Sequence, residues 1–267
     1  MGDSLTEEQI QRAESVGLKT HKVLELLLRV RREVEEGLLP SAQVAIARDG
    51  KVGVFESYGS ARSDSLTCIF SATKAITSSA AWILIQEGKL SEDEIVADIV
   101  PEFGTNEKNQ ITVEQLFTHT AGFPSAPFAP LEWLNKEKRY GRFAKWRLNW
   151  EPGSRYEYHP SSSMWVIGEI IERRGEQSYT EFVKEKVLDP LGLTNLIVGM
   201  SEEQSRRALD VAHSGDPLTS EDYAKMGIPE PPITEVTEEA LLNFCLLYTS
   251  DAADEGLGVD LGGRRII

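Results

Sequence analysis

Ser71 and Lys74 stand three residues apart in the stretch Cys68-Ile69-Phe70-Ser71-Ala72-Thr73-Lys74-Ala75-Ile76-Thr77. It reads as an apolar lead-in followed by the start of a helix. On a helix that spacing puts both side chains on one face, about one turn apart. A hydroxyl at a helix N-terminus sits in a positive local field that favours its ionised form. An amine one turn on can take or relay its proton, which is the minimum an activated serine nucleophile needs. A Ser-x-x-Lys tetrad arises about once by chance in a chain of this length, and this is the only one present. At this point a plain helix N-cap stays open for Ser71 beside catalysis.

The elements around this pair follow from local signals. The helix that carries it runs through Ser78, Ala80, Trp82 and Leu84 and stops at Gly88. Upstream, Thr6-Glu7-Glu8-Gln9 has the form of a capping box. A second helix puts Val23, Leu27, Val30 and Val34 on one face and ends at Gly37 and Pro40. Gln43 to Arg48 alternates as a strand does, Asp49-Gly50 is a two-residue turn signal, and Lys51 to Phe55 returns. After Leu90 the pattern is helical and loop-like, with a short helix from Glu94 to Val100 and another capped at Thr112. Trp133 to Trp150 reads either as a substrate-facing lid or as a helix with buried aromatics. Met164 to Ile171 predicts an amphipathic helix, Tyr179 to Val187 a further one, and Glu235 to Phe244 a last one.

Composition narrows the partners. A formal net charge of -15 argues against nucleic acid and anionic membranes, both of which need a basic surface. With 40% hydrophobic and 27% charged residues the chain reads as a folded domain with a substantial core. Cys68 and Cys245 support neither a disulfide framework nor a metal site, so no metal or cofactor is expected. Cys68 reads as a small buried apolar residue. No segment is apolar over enough length to cross a bilayer. The start of the chain is acidic and polar, unlike a secretory signal, so a cytoplasmic location is expected. A Gly-x-Ser-x-Gly elbow is absent, which argues against an α/β-hydrolase triad. His21, His119 and His213 lack a serine partner in any recognisable context, and His159 reads as satisfying a local hydrogen bond.

Several stretches, taken in order, resemble the serine β-lactamase / penicillin-binding-protein-like superfamily, and within it the class C-related esterases and β-lactamase-related proteins. They are Phe70-Ser71-Ala72-Thr73-Lys74, Glu87-Gly88-Lys89-Leu90, Val96 to Phe103, Ile111 to Gly122, Pro152-Gly153, Tyr158 and Asp189-Pro190-Leu191-Gly192-Leu193. The resemblance runs from about Leu39 to Phe244. It implies an α/β fold, with an antiparallel sheet flanked by helices and a mostly helical subdomain over about residues 90–209. Ser71 corresponds to the nucleophile, Lys74 to its general-base partner and Tyr158 to the tyrosine of the second motif. Most members have Tyr-x-Asn there, whereas this chain has Tyr158-His159-Pro160, which looks like an esterase-like branch. Losing the Asn removes an amide that would hold a β-lactam side chain. The resemblance therefore implies a serine hydrolase that cuts a small-molecule ester or amide through a Ser-Lys-Tyr acyl-enzyme mechanism, an esterase in preference to a β-lactamase. The Ser71 N–H would supply half of an oxyanion hole. Read without the family, Tyr158 beside Tyr156 can equally be core or hydrogen-bonded surface.

The chain also departs from the family. A third motif, Lys-Thr-Gly or His-x-Gly on a late strand, has one formal match after Tyr158. That match, His213-Ser214-Gly215, is followed by Asp216-Pro217 and reads as a turn. Cys245 to Glu255 can be encoded by a transposase-type sequencing-library adapter, and Val259 to Ile267 by the flow-cell end of one. Residues 245–267 are thus expected to be an artefactual tail, and residues 1–244 a partial domain with its C-terminal strands missing. An isolated hairpin is marginal in water. Two other readings stay open: a catalytically inactive β-lactamase-like binding or scaffold protein, and an inactive fragment.

Overall fold

A capping box opens the first helix, α1 (Glu7–Ser15). Thr6 Oγ1 accepts from the Gln9 N–H at 3.2 Å, and Gln9 Oε1 accepts from the Thr6 N–H at 2.9 Å. The computed structural model describes residues 4–127, 132–211, 213–214, 218–226 and 265–266. They divide into two units, one built on residues 4–67 with the described residues after 206, the other on the described residues from 68 to 206.

In the first unit α1 is followed by α2 (Thr20–Glu35), β1 (Ser41–Arg48) and β2 (Lys51–Gly59). Asp49 and Gly50 take φ of 51° and 73°, the left-handed pair that a two-residue hairpin turn requires. The strands pair antiparallel from Ser41↔Gly59 to Arg48↔Lys51. Both helices pack on β2, and Ala13, Val23, Leu27 and Val54 form the shared core. The hairpin's apolar face is therefore covered by the two helices that precede it in sequence. Val30 and Val34 are only half-buried, and Glu33, paired with Arg29, takes the buried place instead.

The second unit starts with a 3-10 turn at Phe70–Ala72, followed by α3 (Thr73–Gln86), α4 (Val96–Ile99), α5 (Val113–Phe117), α6 (Lys136–Lys145), α7 (Ser162–Gly175) and α8 (Tyr179–Val183). Helix α7 is the central post. Its amphipathic pattern predicted a wet face, yet every residue from Ser162 to Ile171 is buried. The reason is tertiary: α3, α4, α5 and α8 all pack against it. Its buried Glu169 is held between Arg139 and Arg173. Of the two readings of residues 133–150, the fold adopts the helix with buried aromatics: Trp133, Phe143 and Trp146 lie in the core. Cys68 is half-buried, not buried as its type predicted.

The turn expected at His213-Ser214 is a two-residue strand, β3 (His213–Ser214), pairing antiparallel with β4 (Arg265–Ile266). The turn signal starts only at Asp216-Pro217, so the residues before it are free to pair. Strand β4 falls inside the stretch read as adapter-encoded. The helix expected at Glu235 to Phe244, and the rest of the tail, lie outside the described residues. The fold is α/β, with an antiparallel sheet and many helices. Among the described residues no helix is long and apolar enough to cross a membrane.

Candidate active site

Ser71 sits in the 3-10 turn that enters α3, directly after Phe70, whose φ is 44°. A non-glycine residue held there is strained, and such strain persists only where the surroundings over-determine it. The N-cap of α3 is Ala72, which makes no side-chain cap bond. The Oγ of Ser71 accepts from Lys74 Nζ at 3.1 Å and from Tyr158 Oη at 3.0 Å. Lys74 Nζ also lies 4.9 Å from the centroid of the Tyr158 ring. The three residues singled out from sequence thus meet at one oxygen. Ser71 and Lys74 are half-buried and Tyr158 is 40% exposed, so a small molecule can reach them.

Helix α3 is fixed by its buried side. Ala80, Ala81 and Leu84 are fully buried. The Thr77 hydroxyl donates to the Thr73 carbonyl at 3.2 Å and shares a 2.7 Å hydrogen bond with Tyr179 Oη on α8. That bond locks the helix axially one turn beyond Lys74, which a purely apolar face does not do.

Tyr158 lies on a loop, and residues 119–123 hold that loop. The Gly153 N–H donates to the Thr120 carbonyl at 2.8 Å, and the Asn149 N–H to the Gly122 carbonyl at 2.7 Å. Gly122 has φ of 89°, and a Cβ there would stand 2.4 Å from the Trp150 carbonyl oxygen, so only glycine fits. His119 contacts the residues on both sides of Tyr158. Its carbonyl accepts from the Glu157 N–H at 3.1 Å, and its Nδ1 accepts from the His159 N–H at 3.1 Å. The His119 ring itself lies 4.8 Å from the Tyr158 ring, tilted by 57°.

His159 behaves as its sequence reading expected. It is buried, its Nε2 accepts from the Phe123 N–H at 3.1 Å, and its Nδ1 lies 2.7 Å from the Glu157 carbonyl oxygen. The acceptor role of Nε2 assigns the proton to Nδ1. Burial holds its pKa below the usual histidine value. Burial, then the neighbouring His159 and Lys74, push His119 down to about 4, so near pH 7 it is neutral and its Nδ1 can accept.

Sequence reasoning passed over His119 because no serine stands near it in any familiar pattern. Its connection to Ser71 runs through Tyr158, and its partner His159 is 40 residues away, so no local spacing reports it. Among the described residues no group of three or more His, Cys, Asp or Glu can hold a metal ion. Two clefts, of about 260 and 420 Å³, share Lys136, Glu172 and Ser178 in their linings, and Ser71, Lys74 and Tyr158 line neither.

This geometry can be set beside known proteins. Residues 28–229 match the family model described as Beta-lactamase. Protein flp of Staphylococcus aureus (strain MRSA252) is 29% identical over 192 residues, which cover 66% of this chain and 38% of that protein. The chain therefore spans less than half the length of this curated relative. Among solved structures, EstA from Arthrobacter nitroguajacolicus Rue61a is 26% identical with a TM-score of 0.67, covering 90% of this chain and 58% of EstA. A penicillin-binding protein homolog from Caulobacter crescentus is 27% identical with a TM-score of 0.61, covering 79% of this chain and 56% of that one.

Proposed function

The chain belongs to the β-lactamase family, and from that premise we propose that it is a serine hydrolase that cleaves a small-molecule ester or amide through an acyl-enzyme formed on Ser71. The observation that carries this reading is the convergence of Lys74 Nζ and Tyr158 Oη on Ser71 Oγ at 3.1 and 3.0 Å. The hydroxyl proton passes to whichever of the two partners is unprotonated as Oγ bonds to the substrate carbonyl carbon. The Ser71 N–H supplies one donor to the developing oxyanion. The pair then returns the proton to the leaving alcohol or amine as its bond to the carbonyl carbon breaks. Water, deprotonated by the same pair, releases the acid and restores the Ser71 hydroxyl.

Pro160 in place of the family's Asn, together with the likeness to EstA, supports an ester as the preferred substrate. The likeness to a penicillin-binding protein homolog favours an amide as the second reading. Covalent labelling by a fluorophosphonate tests the nucleophile. The expected result is a single adduct on Ser71, lost in Ser71→Ala. A folded wild-type chain that takes no label would instead support a catalytically silent binding protein. Rates with a p-nitrophenyl ester and with a chromogenic cephalosporin then separate the two substrate classes.

A further inference from the structure

We infer that His119 is the positioning residue that sets the Tyr158 phenol on Ser71, an inference that rests on the serine-hydrolase reading of this site. Tyr158 belongs to no helix or strand and is 40% exposed, so its own burial does little to fix it. A phenol on such a loop has rotamer freedom to lose before it can hold a 3.0 Å contact with Ser71 Oγ. His119 removes that freedom at three points. Its carbonyl holds the Glu157 N–H, its Nδ1 holds the His159 N–H, and its ring lies against the phenol ring between them. The backbone bond to Glu157 and the Nδ1 bond to the His159 N–H fix the residues on either side of Tyr158, and the ring contact fixes the side chain.

Two further features agree with this role. His119 holds φ of 56°, a conformation that costs a non-glycine residue and persists only when its neighbours demand it. Reaching Glu157 with the carbonyl and His159 with the ring from one residue is that demand. The grip also needs an unprotonated Nδ1, since a protonated one would set a donor against the His159 N–H. The titratable groups against the His119 ring are His159, Tyr158, Tyr156 and Lys74, and Glu157, whose N–H meets the His119 carbonyl, has its carboxylate paired with Arg155.

Three variants of the full chain separate the parts of the grip. His119→Ala loses the ring and the Nδ1 acceptor. His119→Phe keeps a ring without the acceptor. His119→Asn puts Oδ1 near the place of Nδ1 and tolerates a positive φ. Labelling of Ser71 by a fluorophosphonate is followed against probe concentration, with folding checked by circular dichroism. His119→Ala and His119→Phe are expected to lower the limiting labelling rate by roughly 10- to 100-fold with the half-saturating probe concentration unchanged, the size of loss that a misplaced reacting group brings. His119→Asn should recover the rate to within about threefold of wild type. A wild-type rate in His119→Ala, or equal losses in the Asn and Phe variants, overturns the inference. If His119→Ala fails to fold, the Asn and Phe variants decide by the same criterion. Crystal structures of wild type and His119→Phe give a reading independent of activity: Tyr158 Oη still at hydrogen-bond distance from Ser71 Oγ in the variant also overturns it. An unlabelled wild type would defeat the hydrolase reading and leave that structural comparison to decide the role of His119.

Discussion

Lys74 Nζ lies 4.9 Å from the centroid of the Tyr158 ring, and the two side chains reach the same atom, Ser71 Oγ, at 3.1 and 3.0 Å. An ammonium beside a phenol ring is attracted to its face, and it also stabilises a phenolate if the proton leaves. In the proposed mechanism the two side chains act on Ser71 Oγ as a unit. Lys74→Met and Tyr158→Phe should each lower kcat on an ester substrate by roughly 10²- to 10⁴-fold. The double variant should fall little below the worse single one, because members of a unit lose their effect together. Steady-state kinetics on the four proteins checks this. A double variant reduced by the product of the single losses would mean two independent roles.

The depressed pKa of His119 makes an acid-sensitive joint. Its folded value is about 4, lowered from 6.5 first by burial and then by His159 and Lys74. As pH falls below 6.5 the unfolded chain takes up a proton that the folded chain refuses, so stability drops progressively and levels off below pH 4. The full loss is at most about 3 kcal/mol, at 1.36 kcal/mol per unit. His119→Asn has no proton to take up. The stability difference between wild type and this variant should thus shift towards the variant between pH 6.5 and 4, and stay flat above pH 7. Urea midpoints measured at half-unit steps give the comparison, and parallel curves would remove His119 as the titrating group.

What was legible in the sequence is what a few neighbouring residues decide. The Asp49-Gly50 turn, the capping boxes at Thr6 and Thr112 and the entry to α3 are all set by side chains within four positions of one another. Ser71 and Lys74 share that locality, and so their meeting could be anticipated from spacing. Tyr158 is 87 residues from Ser71, and only the family resemblance, not any periodicity, pointed to it. Burial on all sides of α7 was hidden for a related reason. An amphipathic pattern records which side chains are polar, and Glu169 counts as a wet position until Arg139 arrives from α6 to join Arg173, one turn on in α7, in neutralising it. His119 was illegible because its partners, Glu157 and His159, lie across a proline-rich loop and an intervening helix.

Lys108 gives a second pH effect of opposite placement. It is fully buried, its Nζ donates to the Thr105 and Trp146 carbonyls at 2.7 and 2.6 Å, and it lies 5.3 Å from the Phe103 ring centroid. Burial, then Arg147, lowers its pKa from 10.5 to about 8. Between pH 8 and 10.5 the unfolded chain keeps a proton that the native chain has released, so stability rises with pH across that window. The rise is at most about 3 kcal/mol. Lys108→Met lacks it, and at pH 7 it loses roughly 1–3 kcal/mol for the two Nζ bonds, while the Thr105 carbonyl keeps the residue-108 N–H and the Trp146 carbonyl keeps Asn106 Nδ2. Denaturant titrations of both proteins at pH 7, 9 and 10 should therefore show the gap widening in favour of wild type. A constant gap would show that Lys108 stays protonated throughout.

The buried charges between α6 and α7 set the stability of the unit that carries the site. Arg139 and Glu169 are 2% and 1% exposed, and Arg139 Nη2 lies 2.8 Å from Glu169 Oε2, close enough for an ion pair though outside good hydrogen-bond geometry. The second oxygen of Glu169 accepts from Arg173 Nε at 2.6 Å, and Arg173 also reaches Glu102 at 2.8 Å. Removing the charge of Glu169 leaves the buried Arg139 guanidinium with Glu172 as its one carboxylate partner among the described residues, beside the Trp133 carbonyl, and breaking a buried pair from one side costs about 3–5 kcal/mol. Glu102, 36% exposed, is screened by water, so Glu102→Gln should cost at most about 1 kcal/mol for its own bond to Arg173. Thermal melts should thus separate Glu169→Gln from Glu102→Gln by roughly 5 °C or more. Salt should narrow only the Glu102 effect, because a buried pair is screened far less than an exposed one. Equal melting shifts in the two variants would mean that Glu169 is solvated, and that α7 owes its position to apolar packing alone.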